Sequence, residues 1–413
     1  MSMKKPKIRF KGYTEDWEQR KFSDVVQVRR GLTYKPSDVQ ETGIRVLRSS
    51  NINEDIFEYG DDDVFVNPEK VNIETVKEND ILITSANGSS RLVGKHALIK
   101  KVSDNTAVHG GFMLLGRTKN YDFINASMSS SWYTRFINIY VAGGNGAIGN
   151  LSKSDLDEQI ILVPSEIEQK KIGEYFGSLD HLITLHQRKC NQAKKLKKYM
   201  HQKMFPQNGE KNPEIRFDGF TDDWEQRKLG EIADLTSSKR VHAQDYVDSG
   251  IPFYRGKEIS ELREHKPVSE VLYITEEKYK EMAKLYGSPQ VGDLLITAVG
   301  TIGNTWVVDN VPFYFKDGNL IWFKNIKCNP NYLDYVLSSD DGQKKIDASA
   351  IGSNQKALTM VKMNELEFMF PNDDEQVRIA DYFRTLDHLI TLHQRKCDEL
   401  KKIKKFMLQN MFV

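Results

Sequence analysis

Residues 179–190 read LDHLITLHQRKC, and residues 386–397 read LDHLITLHQRKC again, so a 413-residue chain writes one segment twice at an offset of 207. The repeat extends well beyond these twelve positions. IRFKGYTEDWEQR at 8–20 returns as IRFDGFTDDWEQR at 215–227, and 168–205 returns as 375–412. Between these blocks the two copies diverge but keep register at scattered places: Ile44 and Arg48 align with Ile251 and Arg255, and Pro164 with Pro371. The chain is therefore two equal halves, each a short leader, a variable region of about 140 residues and a conserved segment, and it is too long for one core.

The conserved segment predicts a long helix. Ile172, Phe176, Leu179, Ile183, Cys190, Ala193, Met200 and Met204 fall at alternating spacings of three and four, an apolar seam interrupted by His186 and Lys197. At about 1.5 Å per residue such a helix is a rod of roughly 57 Å. Neither copy can bury its stripe alone, so the two are expected to pair. The candidate pairing or docking residues are Ile172, Phe176, Leu179 and Ile183 with Ile379, Phe383, Leu386 and Ile390. A unit repeated within one chain imitates a two-fold dimer, which favours an antiparallel pair with a variable domain at each end. KKLKK at 194–198 and KKIKK at 401–405 read either as a solvated helix face or as a contact with a partner or phosphate.

The variable regions are strand-rich. GIRVLRSSNI, NDILITSANGSSRLVGKHALI and HGGFMLLGR in the first, with GDLLITAVGTIGNTWVV and DGNLIWFK in the second, are β-favouring runs broken by Gly, Asn and Ser. Each then passes through a loop rich in small polar residues, AGGNGAIGNLS at 142–152 and ASAIGSNQKALT at 348–359. Backbone freedom with small donors and acceptors is what binding loops use on a rigid scaffold. The expected fold is α+β. The divisions are 1–165 (leader and first head), 166–206 (first helix), 207–373 (second leader and head) and 374–413 (second helix).

Catalytic signatures fail on their context. GNGAIG at 144–149 matches a dinucleotide pattern but precedes a polar stretch and a strand, not a helix. NPNY at 329–332 has Asn331 where the amino-methyltransferase tetrapeptide has a second proline, and GSSRLVGKH at 88–96 has His96 where a phosphate loop has Ser or Thr. His181 and His186, five apart, are not the i, i+4 metal pair. Cys190, Cys328 and Cys397 are too few and scattered for a disulfide framework or zinc cluster. No apolar run has bilayer-spanning length and MSMKKPKIRF lacks a signal peptide's apolar stretch, which places the chain in the cytoplasm with no membrane partner.

A leader ending in WEQRKF or WEQRKL, a strand-rich domain with DILIT or DLLIT and VGTIGN, and a closing helix with Pro164, Glu168, Gln169 and Ile172, or Pro371, Glu375, Gln376 and Ile379, resemble the specificity subunit of type I restriction-modification systems. The resemblance covers essentially the whole chain, twice. It implies that each head is a target-recognition domain reading one half of an interrupted double-stranded DNA target, and that the helix pair sets the unread gap. It also implies two modification (methyltransferase) subunits docked on the helices and two restriction (motor-nuclease) subunits. The chain itself would be non-catalytic and bind no cofactor or metal; S-adenosylmethionine, ATP and Mg would sit on partners. The heads depart from each other where TSANGSSRLVG faces TAVGTIGN and where GSNQ meets a glycine-rich counterpart, as two heads with different half-sites should.

Composition excludes an indiscriminate DNA binder. Residues 26–165 hold 15 Lys and Arg against 17 Asp and Glu, and 233–373 hold 16 against 20. A DNA surface must then be a local patch, with partners supplying part of the phosphate neutralisation. The candidates able to reach groove edges are Arg29, Arg30, Tyr34, Lys35, Arg48, Asn51, Asn87, Arg91 and Asn145 in the first head. In the second they are Lys239, Arg240, Arg255, Lys257, Thr301, Asn304, Asn354, Gln355 and Lys356. Arg and Lys suit guanine, Asn and Gln adenine, while phosphate contacts take half or more of such bonds. The rival reading is a two-headed coiled-coil scaffold for a protein partner, which explains the repeat but not the shared loop and closing motifs.

Overall fold

The computed structural model describes residues 5–141, 149–207, 209–264, 266–352 and 356–413. They form two compact units, Met1–His186 with Lys396–Val413, and Gln187–Arg395. Each unit therefore takes helix from both halves of the repeat.

In the first unit, an antiparallel sheet runs in the order His96–Leu98, Ile81–Thr84, Met113–Arg117, Gln27–Arg30. Its strand Ile81–Thr84 is buried at every residue, which is why DILIT is apolar without alternation. A second sheet contains Ala107–His109, Ile44–Leu47, Val64–Val66 and Val39–Gln40, with the first two parallel. The second unit repeats both sheets. One runs Asp234–Thr236, Leu320–Lys324, Leu294–Thr297, Thr305–Val307; the other holds Ile251–Tyr254 parallel to Tyr314–Phe315. The Asp of each central motif shapes the turn before its strand, Asp80 accepting from the Lys77 N–H and Asp293 from the Gln290 N–H, both at 2.8 Å.

Leader and closing motif meet in both units. Glu18–Lys21 pairs with Ile160–Val163, and Glu225–Lys228 with Glu367–Phe370, in the same register. The long helices Glu166–Lys203 and Asp373–Met411 start directly after these strands. Arg9 forks onto Glu168 with two 2.7 Å bonds, and Arg216 onto Glu375 with two more at 2.7 Å. Both carboxylates are fully buried. Gln169 and Gln376 donate to the carbonyls of Pro164 and Pro371 at 2.8 Å. The E-Q pair of the closing motif is thus a structural clasp: the Glu neutralises the leader arginine, and the Gln satisfies the carbonyl left before the helix.

Within the first unit the helices are antiparallel. Lys404 reaches Asp180 at 2.6 Å, and Cys397 and Leu400 are buried with Leu179 and Ile183. In the second unit the repeat-related pair, Lys197 to Asp387, has the same 2.6 Å, and Cys190 Sγ lies 3.8 Å from the Ile390 carbonyl. The seam residue Lys197 is accommodated because its charge meets Asp387 at the seam's edge. Ile172, Phe176, Leu179, Ile183, Ile379, Phe383 and Leu386 are buried, and Ile390 is half-buried.

Each helix ends in a Met-Phe that fills an aromatic socket. Phe412 lies 6.1, 5.7 and 5.7 Å from Trp17, Phe123 and Phe176 in the first unit, where the Ile8 N–H also donates to the Asn410 carbonyl at 2.9 Å. In the second unit Phe205 lies 5.9 and 5.7 Å from Tyr332 and Phe383, and the Ile215 N–H donates to the Lys203 carbonyl at 2.9 Å. Burying such a ring stabilises by roughly 1.5–3 kcal/mol.

Candidate nucleic-acid interface

In each unit the strand of the parallel pair delivers an arginine to the surface. Arg48 follows Ile44–Leu47 and precedes a single helical turn, Ser49–Asn51. Arg255 follows Ile251–Tyr254 and precedes an eight-residue helix, Gly256–Arg263. The third residue after each arginine caps its backbone: the Arg48 N–H donates to Asn51 Oδ1 at 2.8 Å, and the Arg255 N–H to Glu258 Oε2 at 2.6 Å. The loop after the central strand is tied to the same segment, by Asn87 Nδ2 donating to Ser49 Oγ at 2.9 Å in one unit and Asn304 Nδ2 to Ser260 Oγ at 2.8 Å in the other. The arginine-bearing turn and the loop after the central strand, 85–95 in the first head and 298–304 in the second, are thereby joined in each head.

The first-head candidates divide into exposed residues and residues engaged within the protein. Arg30, Lys35 and Arg91 are exposed, and Tyr34 packs partly against Leu32, Val46, Val66 and Val108. Arg29 is held by Glu74 and by Gln27, which accepts from it at 2.8 Å, while Glu74 also meets Arg117, itself forked onto buried Asp80. The Arg117 guanidinium holds the Glu74 carboxyl below its ordinary range. The backbone beyond Arg30 passes so close to the next strand that a Cβ on Gly31 would stand 1.9 Å from the Gly110 carbonyl oxygen, which fixes glycine there. Asn51 requires correction as a groove-reaching residue. It has no exposed surface, and its amide nitrogen donates to the Glu58 carbonyl at 3.0 Å and Asp63 Oδ1 at 2.7 Å. Its chemistry suits adenine, but every polar atom of its side chain is engaged within the protein.

In the second head, Lys239, Arg240, Lys257, Thr301 and Lys356 are exposed. Arg240 lies 3.7 Å from Asp317, Lys257 3.0 Å from Glu270 and Lys356 2.7 Å from Asp347; Lys239 stands over the Tyr286 ring. Exposed pairs of this kind contribute little and exchange readily for another anion. Asn304 is half-buried, bonded to Ser260 as above, and its N–H donates to Thr297 Oγ1 at 2.9 Å. Asn145, Asn354 and Gln355 lie outside the described residues, as does most of GNGAIG. NPNY is a helix start: Asn329 caps the helix Pro330–Ser338 by accepting from the Asn331 and Tyr332 N–H groups, with proline at its first turn.

Among the described residues no group of three His, Cys, Asp or Glu could hold a metal, and no helix is long and apolar enough to cross a membrane. Sequence reasoning missed Glu258, Ser49 and Ser260. The only sequence signal for Glu258 is its place three residues after Arg255, the position of Asn51 after Arg48.

Residues 14–195 and 221–402 each match the family model described as the type I restriction modification DNA specificity domain. The Type I restriction enzyme MjaVIII specificity subunit of Methanocaldococcus jannaschii is 23% identical over 346 residues, spanning 80% of this chain and 77% of that one. A putative type I restriction enzyme specificity subunit, MjaX, from the same organism is 25% identical over 419 residues, with 95% and 91% covered. The crystal structure of the type-I restriction-modification system S subunit from M. genitalium shares the fold, with a TM-score of 0.66 over 99% of both chains at 14% identity.

Proposed function

This chain belongs to the type I restriction-modification DNA specificity family, a non-catalytic sequence-recognition subunit with two recognition domains, and we propose how its parts divide that work. The first head reads one half-site and the second head the other. The arginine-bearing turn and the loop after the central strand of each head face the groove; Arg30, Lys35 and Arg91, with Lys239, Arg240 and Lys257, supply phosphate and base contacts around Arg48 and Arg255. The helix pair sets the unread gap. The observation that carries this reading is that the clasp, the helix contacts and the aromatic socket repeat between units, whereas the surface turns and loops do not.

The helices also offer a repeated outer face. Leu182, Leu185, Ile403 and Phe406 are exposed in the first unit, and their repeat partners Leu389, Leu392, Leu196 and Tyr199 in the second. Two near-identical apolar faces fit two copies of one modification subunit, with two motor-nuclease subunits joining for restriction. S-adenosylmethionine, ATP and Mg then reside on those partners, and the assembly works in the cytoplasm. Local cationic loops on near-neutral heads make tight DNA binding a property of the complex.

Co-expression with the cognate modification subunit in a host lacking adenine methylation, followed by mapping of methylated adenines, tests this division. The expected result is one interrupted motif, methylated once in each half and absent without this chain. Exchange of residues 26–165 for another head should change one half only; a change in both halves overturns the assignment.

A further inference from the structure

Arg48 and Arg255 occupy the same place in the repeat and have nearly equal side-chain exposure, 34% and 32%, yet they are held differently. Glu258 is fully buried and uses both oxygens on Arg255: one carboxylate takes the backbone N–H at 2.6 Å, Nε at 3.2 Å and Nη2 at 2.6 Å. In the first head the capping side chain is an amide with a single acceptor oxygen, spent on the Arg48 N–H. Arg48 Nε is accordingly buried with no hydrogen-bond partner among the described residues. Its Nη2 leans on the Asp62 carbonyl at 2.6 Å and on the largely exposed Asp62 carboxylate at 3.1 Å.

A guanidinium gripped along its Nε/Nη2 edge by a buried carboxylate loses the rotamer freedom that an arginine otherwise gives up on binding. The outer N–H of Nη1 and the outer N–H of Nη2 are left side by side on the edge away from Glu258, a fixed pair of donors. The bases that offer two acceptors side by side in the major groove are guanines, through O6 and N7. A phosphate contact needs no such fixing, because its oxygens accept from many directions.

Resting on the reading of this chain as a recognition subunit, we propose that Arg255 reads a guanine in the second half-site and that Glu258 is the positioning residue that makes the reading specific. Arg48, lacking the equivalent carboxylate, is not fixed in this way. The proposal assigns a G·C pair to one position of the second half-site and makes Glu258, which cannot itself touch DNA, a determinant of discrimination there.

The test is methylation mapping of the complete complex with the cognate modification subunit, carrying Glu258→Gln, Arg255→Lys or Arg48→Lys. Glu258→Gln keeps shape and one acceptor oxygen; Arg255→Lys keeps the charge and the buried carboxylate's partner but removes the fork, so it answers even where the first variant fails to assemble. The expected result is a wild-type motif with a G·C pair in the second half, at which discrimination against other bases falls about ten- to a hundredfold in Arg255→Lys and Glu258→Gln. All other positions hold, and Arg48→Lys changes the first half by a smaller factor. A second half-site without a G·C pair overturns the proposal, as does a uniform fall in methylation with an unchanged motif, which marks Arg255 as a phosphate or structural residue. A wild-type complex that produces no interrupted motif defeats the underlying recognition reading instead.

Discussion

Arg9 and Arg216 stand 207 residues apart and fork onto two repeat-related buried carboxylates, Glu168 and Glu375, at the same 2.7 Å; Arg48 and Arg255 stand 207 residues apart and share only a backbone cap. The first pair belongs to a frame that must be kept identical, because it seats a helix and its socket. The second pair belongs to a surface where the two halves differ: Arg255 is held by buried Glu258, whereas Arg48 leans on the largely exposed Asp62. One chain thus contains both outcomes of duplication, and burial separates them: the frame carboxylates are fully buried against arginines that are also nearly covered, while the head arginines are about one-third exposed.

The contrast can be broken most forcefully at the clasp. Arg9→Ala and Arg216→Ala each leave a buried carboxylate without its partner and should each cost about 3–5 kcal/mol, read by denaturant unfolding with hydrogen exchange to localise the loss. Equal losses support an equivalent frame; a difference above about 1.5 kcal/mol breaks it.

A smaller effect sharpens the comparison where the frame itself differs. His201 stands among Phe205, Tyr335 and Phe383 in the second unit, whereas its repeat position is Leu408. Burial pushes its imidazole down to about 4 from the ordinary 6.5. The unfolded ring takes a proton near pH 6.5 and the folded ring only near 4, so the second unit keeps this stability above pH 6.5. It loses about 3 kcal/mol as the pH falls from 6.5 to 4. His201→Leu should abolish that loss in the second unit alone; the first retains buried His96 and His109, both pushed down by burial. An unchanged acid profile in the second unit would show that the ring already protonates in place.

The smallest effect is expected at the helix ion pairs. Lys197→Ala and Lys404→Ala remove partly exposed bridges and should cost about 0.5–1 kcal/mol each in thermal or denaturant melts. A larger loss at Lys197 than at Lys404 is the informative deviation, because Lys197 also stands 5.4 Å over the Tyr335 ring.

The legible parts of the sequence were those with a period or a copy. Spacing of three and four announces both long helices, and the repeat announces that Lys197 and Lys404 play one part. What the sequence did not disclose is pairing across distance. Arg9 and Glu168 are each visible in a motif, yet nothing local says that they meet. The same limit explains Asn51: side-chain type says what a residue could bond, while burial decides whether those bonds are already made. Asn51 caps a turn and spans to Glu58 and Asp63, contacts that only the folded strands bring together. Glu258 was invisible for the converse reason, since a carboxylate is a poor guess for a DNA surface until the arginine it holds is seen.

The socket around Phe412 also sets a timetable. The second unit is contiguous, Gln187–Arg395, but the first cannot close until residues 396–413 exist. At about 5–20 residues per second, a ribosome that has finished His186 needs on the order of 10 to 40 s to supply them. Throughout that interval Trp17, Phe123 and Phe176 lack the ring that covers them. A chain cut short before residue 396 therefore leaves an apolar scar on its first unit, far from the break in sequence.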